Sequence, residues 1–145
     1  MKHFDYSNTK SIADLGTGAG FPGLVLAIFN KNYKFHVKLY EKSPVKRLFL
    51  NNIKKNLELK NLEVCEDVYR EEISTDIIVC RAFKKIEEII NISRENVKKP
   101  HKIIILKGKN AQSEINNVSL ASNYSYKLKN SITDDDSKII IVEAN

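Results

Sequence analysis

A chain of 145 residues with 42% hydrophobic and 29% charged residues has the length and composition of one soluble globular domain with a real core. Twenty-four Lys and Arg against eighteen Asp and Glu leave a net charge of +6, which favours a polyanion such as RNA, although a lysine-rich surface also serves solubility alone. Apolar runs such as Ile103 to Leu106 are too short for a bilayer, the polar start Met1 to Lys10 does not read as a signal peptide, and the two cysteines, Cys65 and Cys80, match no zinc spacing.

The expectation is therefore a cytoplasmic domain over residues 1–145, with reduced buried thiols, no membrane segment and no metal. Met1 to Lys10 form a polar lead. Ser11 to Leu15 read as a short buried strand. It runs into Gly16-Thr17-Gly18-Ala19-Gly20-Phe21-Pro22-Gly23 and then a helix to about Phe29, with Pro22 at its first position. Glycines allow positive φ and let a ligand lie against the backbone, and a helix start offers N–H groups with a partial positive charge. This is the pattern of a strand–loop–helix nucleotide site.

Gly18-x-Gly20-x-x-Gly23 also fits the dinucleotide fingerprint, a weak signal by itself. Asp14 stands two residues before Gly16. A carboxylate there repels a pyrophosphate and suits a ligand carrying an ammonium group. S-adenosylmethionine has an amino group, a sulfonium charge and no phosphate. Glu41 follows the apolar strand His36 to Tyr40, where an acid accepts hydrogen bonds from both ribose hydroxyls. The residues favour S-adenosylmethionine over its two competitors, an NAD-type ligand and a purely structural glycine turn.

Asn30 to Lys34 read as a loop before that second strand. Ser43 caps the next helix, with Pro44 behind it. Val45, Leu48, Phe49, Ile53 and Leu57 recur at helical spacing, which predicts one face packed on a sheet. Lys46, Arg47, Lys54 and Lys55 fall mostly on the other faces. With Lys31, Lys34, Lys38 and Lys42 they form one basic group, and Lys98, Lys99, Lys102, Lys107 and Lys109 form another. Leu62 to Cys65 make a third strand ending in Glu66-Asp67. Asp76 to Cys80 read as a strand buried on both faces. Ile86, Ile89, Ile90 and Val97 mark a further amphipathic helix, and Lys102 to Leu106 a fifth strand closed by Lys107-Gly108-Lys109.

Strands alternating with helices predict a parallel sheet with crossover helices. The tail breaks that rhythm. Tyr124 to Ser131 and Lys138 to Glu143 read as two strands joined by Thr133 to Asp136, a link too short for a parallel crossover. The expected fold is α/β and mostly parallel with a C-terminal antiparallel hairpin strand, the Rossmann-like arrangement of S-adenosylmethionine-dependent methyltransferases.

Ligands in such sheets bind beyond the carboxyl ends of the strands. Those ends carry Asp14 with the glycine loop, Glu41, Glu66-Asp67, Arg81 and Lys107. Each has a plainer reading. Glu66 and Asp67 also read as solvated loop acids, Arg81 as an ion-pairing strand end, and Lys107 as a surface lysine. His3, His36 and His101 lie away from these ends. Cys80 reads as a packed thiol rather than a nucleophile. Where amino-group methyltransferases typically carry an Asn/Asp-Pro-Pro-aromatic segment, this chain has Cys80-Arg81-Ala82-Phe83. No carboxylate–histidine base stands out. A guanine N7 needs none, because it has an in-plane lone pair and no proton to lose, so positioning and electrostatics can suffice.

Asp14-Leu15-Gly16-Thr17-Gly18-Ala19-Gly20-Phe21-Pro22-Gly23, then Lys46-Arg47-x-Phe49-Leu50, Cys80-Arg81-Ala82-Phe83 and Leu106-Lys107-Gly108 occur in order. With them the chain resembles the bacterial 16S rRNA guanine-N7 methyltransferases of the RsmG (GidB) family from about residue 11 onward. The Gly-Phe-Pro-Gly ending and the Arg-Ala-Phe segment are more specific than a generic glycine loop. The resemblance implies methylation of one guanine N7 in small-subunit rRNA, in the cytoplasm. It also implies that Gly16, Phe21, the Glu66-Asp67 pair and Arg81 contact S-adenosylmethionine.

Two differences stand out. The family carries a helical segment ahead of the glycine strand that helps cover the site, whereas here Met1 to Lys10 precede it, and His3-Phe4-Asp5-Tyr6-Ser7 only loosely resembles the family's His-x-x-Asp-Ser. The family usually has an apolar residue before its acid, where this chain has Glu66 before Asp67. In the resulting expectation Asp14, Gly16, Gly18, Gly20 and Phe21 shape the methionine and sugar pocket, and Glu41 takes the ribose. Glu66 and Asp67 take the adenosine end, and Arg81 serves the methyl-transfer region. Two other readings stand beside it: a small-molecule methyltransferase, and a non-catalytic remnant of the family that binds RNA or a partner.

Overall fold

Five short apolar segments have strand lengths, and most bury both faces, so they pair side by side under covering helices. The computed structural model describes residues 7–30, 35–69, 72–132 and 134–145. His3 to Tyr6, Lys31, Lys34 and Thr133 therefore lie outside the described residues.

In chain order the elements are β1 (Ser11–Leu15), α1 (Gly23–Phe29), β2 (His36–Tyr40), α2 (Pro44–Asn56), β3 (Leu62–Cys65), β4 (Ile77–Arg81), α3 (Ile86–Asn96), β5 (His101–Lys107), α4 (Ala111–Asn116), β6 (Tyr124–Asn130) and β7 (Lys138–Ala144). They build one seven-stranded sheet in the order β3-β2-β1-β4-β5-β7-β6. The five strands from β3 to β5 are parallel, and β7 pairs antiparallel with both β5 and β6. The fold is thus α/β and Rossmann-like, with the expected hairpin at one edge.

The pleat sends alternate residues to opposite faces. Ile12, Val37, Leu39, Ile77 and Val79 meet Leu24, Leu26 and Leu50 from α1 and α2. Ala13, Ile78, Cys80, Ile103 and Ile105 meet Ile86, Ile89, Ile90, Ala111 and Ile115 from α3 and α4. Both faces are covered, and the carboxyl ends of β1 to β5 emerge along one edge.

Three expectations need correction. Arg81 is the last residue of β4, which runs from Ile77 rather than Asp76. The short helix α4 falls in a stretch without a sequence signal strong enough to mark it. The third concerns α2. Ser43 does cap it, accepting from the Lys46 N–H at 3.5 Å, but the chosen apolar stripe is not its packing face. Leu50 is fully buried, whereas Val45 is 77% and Leu48 63% exposed, with Phe49 and Leu57 also exposed. At 3.6 residues per turn, Val45 and Leu48 lie roughly 140° and 160° round the helix from Leu50. The sequence holds apolar residues on two sides, and the sheet takes the side that Leu50 and Ile53 share.

Candidate active site

The loop after β1 is held by carboxylates from below and beside it. Asp14 is completely buried. Its Oδ2 accepts from the Thr17 hydroxyl at 2.6 Å and from the Gly23 N–H at 2.8 Å. Its Oδ1 is buried with no hydrogen-bond partner among the described residues. Burial pushes the Asp14 carboxyl up to about 6, opposed by the Thr17 and Gly23 bonds and by the charge of Arg81. The helix start is less open than its sequence predicts. Pro22 stands before α1 as its N-cap rather than inside it. The Gly23 N–H is taken by Asp14 and the Leu24 N–H by the Gly20 carbonyl.

Glu41, at the end of β2, is the second tie. Its Oε2 accepts from the Gly18 N–H at 3.0 Å, and its Oε1 from the Ser43 N–H at 2.9 Å. The carboxylate therefore links the glycine loop to the start of α2, while each oxygen keeps a lone pair for a further donor. Gly16 and Gly18 have φ of 67° and 60°, which disfavours a side chain at either position. They differ in what faces them. A Cβ on Gly16 would overlap the Phe83 ring, whereas nothing lies within 4 Å of one on Gly18. One glycine packs against the protein and the other presents open backbone.

Phe83 and Tyr69 help enclose a recess of about 60 Å³ with Gly16, Glu41, Glu66 and Asp67. Asp67 Oδ1 accepts from the Tyr69 N–H at 3.2 Å, and its side chain faces Lys42 at 3.5 Å. Glu66 is the more exposed of the two acids and meets Arg47 at 3.4 Å. Arg81 lies outside the recess, with its guanidinium 5.4 Å from the centre of the exposed Phe21 ring. Gly20 turns the loop against Leu24.

The structure thus brings Gly16, Glu41, Glu66 and Asp67 around one recess, with Gly18 outside its lining and tied to it through Glu41. It sets Phe21 and Arg81 beside each other as a separate pair, and it buries Asp14 beneath the loop. Tyr69 and Phe83 were missed as walls. The signal for Phe83 was its place in the Arg-Ala-Phe segment; Tyr69 had none.

The same β4–α3 segment borders a second, larger space. A groove of about 690 Å³ opens between it and α4, lined by Phe83, Lys84, Lys85, Lys107, Asn110 and Asn117 among others. Phe83 and Lys84 line both spaces. The cations of α2 divide: Lys46 and Arg47 face Glu41 and Glu66, while Lys54 and Lys55 sit in its last turn, towards the other end of the sheet.

His36 and His101 are the first residues of β2 and β5, at the edge away from the site. His101 is buried, its Nε2 2.5 Å from the Ser93 hydroxyl and its Nδ1 2.7 Å from the Lys99 carbonyl. Cys80 is fully buried, and that burial pushes its thiol far up, which leaves no thiolate for attack.

Residues 1–139 match the family model described as "GidB: rRNA small subunit methyltransferase G". The chain belongs to that family. A "Ribosomal RNA small subunit methyltransferase G" from Pelagibacter ubique is 30% identical over 139 residues, covering 94% of this chain and 65% of the relative. One from Campylobacter jejuni is 35% identical over 122 residues, covering 81% and 63%. The chain therefore spans just under two thirds of the length of these relatives. Among solved structures, a "SAM dependent methyltransferase from Aquifex aeolicus" superposes with a TM-score of 0.73 at 14% identity, covering 92% of this chain and 81% of its own. The "Putative methyltransferase yhhF from Escherichia coli" gives 0.69 at 15%, covering 93% and 77%. These two likenesses establish the fold. Among the described residues no helix is long and apolar enough to cross a membrane.

Proposed function

We propose that the chain transfers a methyl group from S-adenosylmethionine to N7 of a guanine in 16S rRNA, in the cytoplasm. The observation that carries this reading is the pairing of open backbone at Gly18 with the Glu41 carboxylate that accepts its N–H. Such a pairing fits a ribose: the glycine lets the sugar approach, and the carboxylate has lone pairs left for two hydroxyls. The buried Asp14 carboxylate, beneath the loop, supplies a compensating charge for an ammonium-bearing ligand without touching it. Gly16, Glu66 and Asp67 border the recess as the adenosine end. Phe21 and Arg81 stand at the methyl-transfer region, with the Arg81 guanidinium held over the Phe21 face.

When bound, S-adenosylmethionine supplies an electrophilic methyl on a sulfonium. The protein's share is orientation and exclusion of water. Guanine N7 offers its lone pair without losing a proton, so no general base is required. Neither described histidine lies at this edge. The groove shares the Phe83–Lys84 wall with the recess, which supports an acceptor base in the groove beside a cofactor in the recess. Lys84 and Lys85 would meet phosphates, and a paired guanine would have to be splayed out of its helix first.

The test is methyl transfer from labelled S-adenosylmethionine to small ribosomal subunits, with nucleosides resolved by mass spectrometry. The reading predicts 7-methylguanosine in 16S rRNA. Transfer to a metabolite but not to rRNA would replace it with a small-molecule activity. RNA binding without cofactor binding or turnover would make the chain a non-catalytic remnant.

A further inference from the structure

The segment between β4 and α3 follows Arg81 and carries Phe83, yet its backbone is not one that its sequence holds by itself. Ala82 has φ of 49°, a conformation that alanine seldom adopts. Lys85, the N-cap of α3, makes no side-chain capping bond. The missing support comes from two residues distant in sequence. Lys107, the last residue of β5, donates from Nζ to the Lys84 carbonyl at 2.9 Å and to Glu114 Oε1 at 3.0 Å. Glu114, on α4, accepts on that same oxygen from the Ile86 N–H at 2.7 Å, at the first turn of α3. Both side chains are largely sheltered, 18% and 26% exposed. A charge-assisted pair in such a place is stiffer than a solvated one.

We propose that Lys107 and Glu114 form a clamp that positions the Arg81–Phe83 segment, and through it the shape of the cofactor recess and of the groove beside it. Lys107 fixes the carbonyl side of the turn, and Glu114 replaces the absent cap of α3. Immediately before these two fixed points the chain passes through the left-handed Ala82 and lays Phe83 against Gly16. Both residues border the groove, and toward the cofactor recess both are positioning residues, since they act on it through Lys84 and Ile86 and are not part of its lining. Their effect on the ligand rests on the cofactor reading above. The clamp itself rests only on the described contacts.

Two readouts separate these levels. Hydrogen exchange followed residue by residue reports the clamp without any ligand, and calorimetric titration with S-adenosylmethionine reports its effect on the site. Lys107→Met should speed exchange at residues 82–86 selectively and weaken S-adenosylmethionine about 10-fold, the effect of losing one charge-assisted bond. Lys107→Arg should restore most of both. The control is Lys102→Met, which removes an ion pair to Glu143 near the other end of β5 and should change neither. Unchanged exchange at 82–86 in Lys107→Met would overturn the clamp. Faster exchange with unaltered affinity would overturn its positioning role. A folded wild-type chain that binds no S-adenosylmethionine would overturn the cofactor reading, and the positioning role with it, while exchange would still decide the clamp.

Discussion

The two halves of the carboxyl edge are held in different ways. Around β1 and β2, backbone N–H groups are gathered by acids at the strand ends: Asp14, before the glycine loop, takes Gly23, and Glu41, after β2, takes Gly18 and Ser43. Around β4 and β5, the loop bearing Arg81 and Phe83 depends on Lys107 and Glu114, 23 and 28 residues from the groups they hold. In the first half the Asp14 ties span three and nine residues and follow from local backbone geometry, while the Glu41–Gly18 tie forms once β2 lies beside β1. The second is assembled only when β5 and α4 pack. The Asp14 part of the edge is thus held within its own loop, and the Arg81–Phe83 part by neighbouring elements.

The largest effect that sharpens this contrast is expected at Gly16. Gly16→Ala forces a positive φ on alanine and drives its Cβ into Phe83, so urea unfolding should show a loss of about 2–4 kcal/mol from strain plus overpacking. Gly18→Ala meets no neighbour and should cost about 1–2 kcal/mol from strain alone, while still blocking the ligand. Equal costs at both positions would mean that the halves do not meet at Phe83.

Asp14 gives a pH signature of nearly that size. Its folded-state value of about 6 lies above the ordinary 3.8. The folded chain therefore holds this proton more tightly than the unfolded chain, so its contribution is most favourable below about pH 4 and is lost as pH rises through about 6. The difference amounts to about 3 kcal/mol, at roughly 1.4 kcal/mol per unit. Asp14→Asn keeps an acceptor for Thr17 and Gly23 but does not titrate. Measured at pH 4 and pH 7, wild type should lose stability relative to Asp14→Asn by about that amount. A constant difference between the two would show the carboxyl to be ionised throughout.

Glu41→Ala should weaken S-adenosylmethionine by about 1–3 kcal/mol, because ribose hydroxyls lose their acceptor and the Gly18 N–H is released. Unchanged affinity would misplace the ribose. The smallest effect is expected on α2, where Val45→Ser should stay within about 0.5 kcal/mol of wild type. Leu50→Ala there should cost about 2–5 kcal/mol. The reverse order would reinstate the apolar stripe that the helical period first picks out.

That stripe shows where sequence reading stops. The mostly parallel sheet, the hairpin edge and the glycine loop were legible because each leaves a local signature: short apolar runs alternating with helical periods, a short link, or glycines at fixed spacing. The choice between two apolar sides of α2 was not, because only the sheet's position decides it. In the candidate site, Asp14 and Glu41 were legible as strand-end acids, but their work of tying the loop was not, since the Glu41–Gly18 bond joins residues 23 apart. Lys107 was visible at a strand end, whereas its partner Glu114 lies on a helix too short to announce itself.

Isothermal titration of the purified chain with S-adenosylmethionine tests the central claim, that the Gly18–Glu41 pairing is a cofactor site, most directly. The account predicts binding in wild type that is abolished in Gly18→Ala even though that variant stays folded. A folded wild type that binds nothing, or a Gly18→Ala variant that binds as well as wild type, would contradict it.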